Sequence, residues 1–332
     1  MTRGLPIAFG SIHLPLDGPT RTILLALVLL LAVGGSAHTQ FFSPGYLLQQ
    51  LQNGAFLGIV AAGAMLVILL GHIDLSVPWT LTAAATFSTA FVSAMRGTGW
   101  EEAGVLVGLA IGGAIGLVNG IGVAYLRIPS MIWTLAVNTI ALGACVFYAG
   151  QFVVRSQPSA LMSMLGTGHA VPGLPNAVLV WAAASAAMVF LLRRTVLGRC
   201  LYAVGTSEKA AYLSGIDTRR VTLGAFVLSG LGSAVAGMLL AGYANQSYQN
   251  MGDPYLLPGI AAVVLGGTSI LGGRGSYAGT VAGVLLITLI ASMLSVLQVP
   301  EAVKQICYGL VIIVMVGVYS RQGGGQGSGG RA

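Results

Sequence analysis

Charge is what this sequence has least of. Asp, Glu, Lys and Arg together make up 7% of its 332 residues, where soluble domains carry roughly 25%. A soluble fold of this size does not cover its surface with so few charges, so the bilayer is the solvent for most of the chain. Lysine occurs only at Lys209 and Lys304. No stretch reads G-x-x-x-x-G-K-[ST], so "LGGTSILGGRGS" at 265–276 is glycine-rich without being a phosphate loop, and the chain is not an ATPase. Cys145, Cys200 and Cys307 lie far apart, in or beside apolar segments, and read as small buried hydrophobes. His13, His38 and His169 fall in a tail and in connecting loops, and no metal-ligand spacing occurs. The formal net charge of +7 comes from basic residues placed between apolar runs. There they set membrane orientation and form no nucleic-acid surface.

Apolar residues fill the space that charge leaves, at 56%, with 49 glycines among the rest. Small residues let membrane helices approach closely, which points to a packed bundle. A crossing needs about 20 apolar residues. Such runs at 21–37, 51–70, 78–95, 103–124, 130–150, 176–192, 221–243, 257–271, 277–297 and 302–319 predict an all-α polytopic membrane protein of about ten transmembrane helices. The run at 257–271 is short and glycine-rich. The first run, "LLALVLLLAVGGSAHT", has the look of a signal peptide, but more membrane follows it, so it reads as an uncleaved span. The expected layout is an N-terminal tail at 1–20, a transmembrane domain at 21–319 and a flexible Gly-rich tail at 320–332.

An even number of spans puts both termini on one side. Placed in the cytoplasm, they bring 12 of the 15 basic residues inside and leave Arg96, Arg155 and Lys304 outside. The opposite orientation would invert the positive-inside bias. An internal repeat is also visible: "LRIPSMIWTLAVNTIAL" at 126–142 resembles "LQVPEAVKQICYGLVII" at 297–313. The copies are separated by five spans, an odd number, which gives two inverted-topology halves.

Three groups of residues are candidates for function. In the long loop 193–220, Thr206 or Ser207 can cap a short helix over 208–213, and Gly215 can stop it. So short a helix needs a partner surface, and Ala210, Ala211, Leu213 and Ile216 offer an apolar face for it. In "GHIDLSVP", Gly71, Ser76 and Pro78 predict a helix break around Asp74, the one carboxylate of the 55–95 region. Asp74 is either a cap on the next span or a group lining a transport path, and the sequence leaves both open. His72 is a possible proton-coupling companion, although two residues apart they face different sides of a regular helix. The neutral polar residues Asn119, Thr134, Asn138, Thr139, Asn245, Gln246 and Gln249 present donors and acceptors of the kind a hydroxyl-rich solute needs. Trp79, Trp100, Trp133 and Trp181 mostly fall near predicted span ends and read as interfacial anchors.

The stretch "AAYLSGI" resembles a signature of the ribose/xylose/arabinose-type permease subunits of bacterial ABC importers. So do "GHIDLSV" at 71–77, "GLVNGIGVAYLRIPSMIWTL" at 116–135 and, most specifically, "GIAAVVLGGTSILGGRGSYAGTVAGVLLI" at 259–287. His72 and Pro78 stand where the family usually has Gly, Thr206 and Ser207 replace a common Asn, and "IASMLS" lacks an Asn-Gly. The resemblance implies an inner-membrane permease with cytoplasmic termini that pairs with a second permease chain, like or unlike. It implies delivery of a monosaccharide or small polyol by a periplasmic binding protein, and a tandem ATPase that holds the ATP and magnesium. It makes the 205–216 segment a coupling helix that docks on that ATPase through Gly205, Ser207, Glu208, Ala210, Ala211, Leu213, Ser214, Gly215 and Ile216. The expected path residues are Asp74, Ser76, Asn119, Thr134, Asn138, Asn245 and Gln246. A proton-coupled secondary transporter using Asp74 and His72 is the rival reading. A membrane enzyme would need a nucleophile–base or metal constellation, and the sequence offers none.

Overall fold

A computed structural model describes residues 23, 25–32, 39–151 and 157–324. The expected tails, and much of the expected first span at 21–37, lie outside the described residues. Residues 25–32 are helical, and Ile23, Ala26 and Leu27 pack against Ala282 and Leu286. Twelve helices follow: α1 (Pro44–Leu69), α2 (Val77–Ala94), α3 (Gly104–Ala124), α4 (Ser130–Gln151), α5 (Ala160–Thr167), α6 (Asn176–Arg194), α7 (Val196–Thr206), α8 (Glu208–Leu213), α9 (Thr218–Ala244), α10 (Leu256–Leu265), α11 (Tyr277–Val296) and α12 (Glu301–Gly324). Among the described residues the only β feature is an isolated bridge between Val171 and Leu174. Among the described residues six helices, α1, α3, α4, α6, α9 and α11, are long and apolar enough to cross a membrane. The molecule is an all-helical polytopic membrane protein.

α9 is the hub and packs against α1, α2, α3 and α5. Its contact with α3 is built on small residues. Gly108, Gly112, Gly116 and Gly120 recur every fourth position, so they form one stripe along α3. A Cβ at Gly112 would lie 2.5 Å from both the Ala234 Cβ and the Gly230 carbonyl, and one at Gly120 would lie 2.8 Å from the Leu223 Cα. The two backbones therefore touch, which is how apolar helices gain van der Waals energy where lipid offers no hydrophobic contrast. α1 is apolar on every side from Gly54 to Leu69, and all of that stretch is buried. Its most apolar stretch is 83% buried, against 22% for that of α4, so α1 is central and α4 peripheral.

The first four helices have counterparts in the last four. From Pro44 to Thr218 is a step of 174, from Gly104 to Tyr277 a step of 173, and from Ser130 to Glu301 a step of 171. The contacts repeat as well: α9 packs on α2 and α3 as α1 packs on α10 and α11. The "LRIP" and "LQVP" copies share a backbone detail, since Arg127 and Gln298 both have φ 55°. Each turns the chain out of one helix before a proline opens the next. The counterparts α1 and α9 run antiparallel, with Phe56 beside Tyr243 and Gly63 against Ser229.

Several expectations change. The run at 257–271 is helical only to Leu265. Gly266 packs flat on Gly279, and Gly267, Gly272 and Gly273 take φ between 74° and 88°, which turns the remainder into a loop. The loop 193–220 holds two helices, α7 and α8. Trp79 and Trp181 are buried in the bundle and are not interfacial. Trp181 fills the space left by the missing side chain of Gly58.

Candidate functional site

The segment between α6 and α9 forms a small compact unit. Thr195 caps α7 by accepting the Gly198 amide at 3.1 Å, and Ser207, not Thr206, caps α8 by accepting the Ala210 amide at 3.3 Å. Gly215, at φ 84°, and the bond from the Ile216 amide to the Ala211 carbonyl stop α8. The faces of α8 divide sharply. Leu213 is 85% exposed and Tyr212 70%, and Ser207, Glu208, Ala210, Ser214 and Gly215 are exposed with them. Ala211 is buried, and Ile216 packs on the core, so these two turn toward the bundle and not outward as expected. Gly205 also faces inward. It lies on the carbonyl of Leu69 with no room for a Cβ, and the same carbonyl accepts the Gly273 amide at 2.9 Å. The end of α1, the end of α7 and the glycine loop are thereby joined backbone to backbone.

The chain does break at 70–76. Gly71 leaves α1 at φ 79°, and Pro78 sits in the first turn of α2. Asp74 is buried, with Oδ1 accepting the Ser76 amide at 3.0 Å and the Ser76 hydroxyl at 2.6 Å, and Oδ2 accepting the Ser229 hydroxyl at 3.1 Å. The Asn119 amide donates to the Ser76 Oγ at 2.6 Å. Thr134 and Asn138, one turn apart on α4, accept the amides of Leu75 at 3.0 Å and Trp79 at 3.3 Å. They satisfy backbone donors that the broken helix leaves free. His72 turns elsewhere, toward Phe226 with ring centroids 6.2 Å apart.

A second break mirrors the first. Asn245 ends α9 at φ 56°, and Asn245 and Gln246 are exposed there, away from Asp74. The chain then returns to the bundle: the Gly252 amide donates to the Thr82 Oγ1 at 3.1 Å, and Gly252 rests on the Pro78 carbonyl. The starts of α2 and α10 thus meet. Beside them lies a cavity of about 330 Å³. Its polar lining is Asn138, Asp253, Glu301, Gln305 and Tyr308, and Pro78, Pro254 and Pro258 supply apolar walls. Of these polar residues only Asn138 is legible in advance. Ser229 is likewise unforeseen, being one of many small polar residues in apolar runs. Among the described residues, no three His, Cys, Asp or Glu come together as a metal site would require.

Residues 46–316 match the family model described as branched-chain amino acid transport system / permease component. The chain belongs to this permease family. The permease is 32% identical over 295 residues to the ribose import permease protein RbsC of Haemophilus influenzae, covering 88% of this chain and 90% of that protein. It is 32% identical over 319 residues to the fructose import permease protein FrcC of Rhizobium meliloti, covering 92% and 86%. The L-arabinose ABC transporter permease protein AraH of Azospirillum brasilense is 30% identical over 301 residues, covering 89% and 85%. No solved structure matches the permease.

Proposed function

We propose that this permease is the membrane subunit of an ATP-driven importer for a monosaccharide or a related small polyol. The relatives named for ribose, fructose and arabinose support that solute class. Ten helical segments, residues 25–32, α1–α4, α6 and α9–α12, would form two inverted halves with both termini in the cytoplasm. A second permease chain, identical or not, would complete the path. A periplasmic binding protein would deliver the solute, and a tandem ATPase beneath α8 would hold the ATP and magnesium. Transport would proceed by alternating access, driven by the different contacts α8 makes with the two states of the ATPase.

One observation carries this reading: a capped helix that buries Ala211 in its own bundle yet holds Leu213 at 85% exposure. A large apolar side chain on a short polar connection is placed to meet a partner. Leu213→Arg should abolish uptake and ATPase co-purification while leaving membrane insertion intact. Normal uptake by that variant would sink the docking role. We place the solute at the cavity between the starts of α2 and α10, with Asn138 as its contact, because its volume suits a small ligand. Asp74, Ser76, Asn119 and Thr134 are engaged within the chain, which favours an internal role for them.

A further inference from the structure

We propose that the hydrogen bond between Ser229 and Asp74 is the joint through which movement of α8 reaches the break beside the cavity. The inference rests on α8 being the ATPase-docking helix. A continuous physical route runs through the residues. Glu208, the first residue of α8, accepts the Thr218 hydroxyl at 3.3 Å, which ties α8 to the first residue of α9. α9 is an unbroken helix of 27 residues, so a tilt at its start is carried along its length. Three turns in, the Ser229 hydroxyl donates to Asp74 Oδ2. Asp74 grips both the amide and the hydroxyl of Ser76, the residue before α2, and the first turn of α2 brings Pro78 to the cavity wall.

Two further features fit a joint better than an inert clamp. The Ser233 hydroxyl bonds the Ser229 carbonyl at 3.0 Å, a back-bond of the kind that bends helices, at the turn that presents Ser229 to Asp74. The Asn119 Oδ1 is fully buried and accepts no hydrogen bond from the described residues. The cluster thus holds one acceptor in reserve, and a donor that leaves Asp74 for it keeps the number of bare acceptors the same. The Gly63 backbone presses on Ser229 so closely that a Cβ on Gly63 would lie 2.8 Å from the Ser229 Cα, which fixes that turn of α9 beside α1.

The test uses the complete complex of permease, ATPase and binding protein in proteoliposomes, with uptake and ATP hydrolysis measured together. Ser229→Ala should keep the ATPase bound and hydrolysing within about twofold, while uptake per ATP falls at least about tenfold, within the range of known coupling free energies. Ser229→Thr, which restores the hydroxyl, should recover most of the ratio. Asp74→Asn keeps an acceptor for Ser76 but reverses the polarity facing Ser229, so it should lower the ratio alone and add little in the Ser229→Ala background. The joint is overturned if uptake and hydrolysis fall in proportion with a lowered unfolding midpoint, if Ser229→Ala leaves the ratio unchanged, or if the two effects multiply. Failure of the docking reading is distinct, because Leu213→Arg would then keep both the ATPase and normal uptake.

Discussion

At the scale of single residues, neighbouring glycines have different worth. Gly112 faces α9, where a side chain would strike the Ala234 Cβ and the Gly230 carbonyl. Gly113, one position on, meets only Leu231 Cδ2 at 3.5 Å. Gly112→Leu should therefore cost about 1–3 kcal/mol through overpacking, read as a lower unfolding midpoint in detergent, while Gly113→Leu should be nearly silent. Equal effects would mean that the α3–α9 contact is looser than the structure shows. Gln298 tests the backbone in the same way. Its φ of 55° is left-handed, a conformation costing an L-residue roughly 1–2 kcal/mol. Gln298→Gly should raise the midpoint slightly, since relief of strain outweighs the added freedom of the unfolded chain.

At the scale of elements, α8 is the most exposed to loss. It has six residues, too few to be stable alone, and it depends on its cap and on Ala211. Ser207→Ala should cost about 0.5–2 kcal/mol of local stability, and that loss should appear as weaker retention of the ATPase during purification. Ser207→Asp should preserve it, because Asp caps as well and its charge suits a helix N-terminus. If both variants retained the ATPase like the unmutated chain, α8 would not need to be a preformed helix to dock. The two interrupted elements, α2 and α10, follow another logic. Each starts after a left-handed residue, Gly71 or Asn245, and amides left free by the break find side-chain acceptors, as with Leu75 on Thr134 and Gly252 on Thr82. Irregular backbone at membrane depth is tolerated only where protein buries it in this way.

At the scale of the whole molecule, the question is what supplies the energy. In the proposed importer a protonophore should leave uptake into ATP-energised proteoliposomes unchanged, and removal of the ATPase should abolish it. A carrier driven by protons through Asp74 and His72 predicts the reverse. Asp74 is occupied by Ser76 and Ser229, while His72 faces Phe226, so the two groups have different neighbours, which speaks against a proton relay between them.

The sequence by itself determined whatever acts over a few positions or over the whole composition. Scarce charge placed the chain in a bilayer, Gly71 and Pro78 marked the break, Thr206 or Ser207 and Gly215 bracketed α8, and the shared Leu-x-aliphatic-Pro pattern marked the recurring turn, because capping, left-handed backbone and solvation are local or additive properties. Tertiary structure decided which side chains meet. Ser229 lies 155 positions from Asp74, and nothing in its neighbours along the chain marks it out from Ser233, the other serine of α9. Ala211 and Leu213 look equally apolar in sequence, yet one packs on the core and the other stands in the open. Thr134 looks like a solute contact until the free amide of Leu75 is seen beside it, whereas Asn138 both accepts the Trp79 amide and lines the cavity. Such pairings depend on how helices cross, and the crossing is set by close packing of surfaces far apart in the chain, which no local pattern encodes.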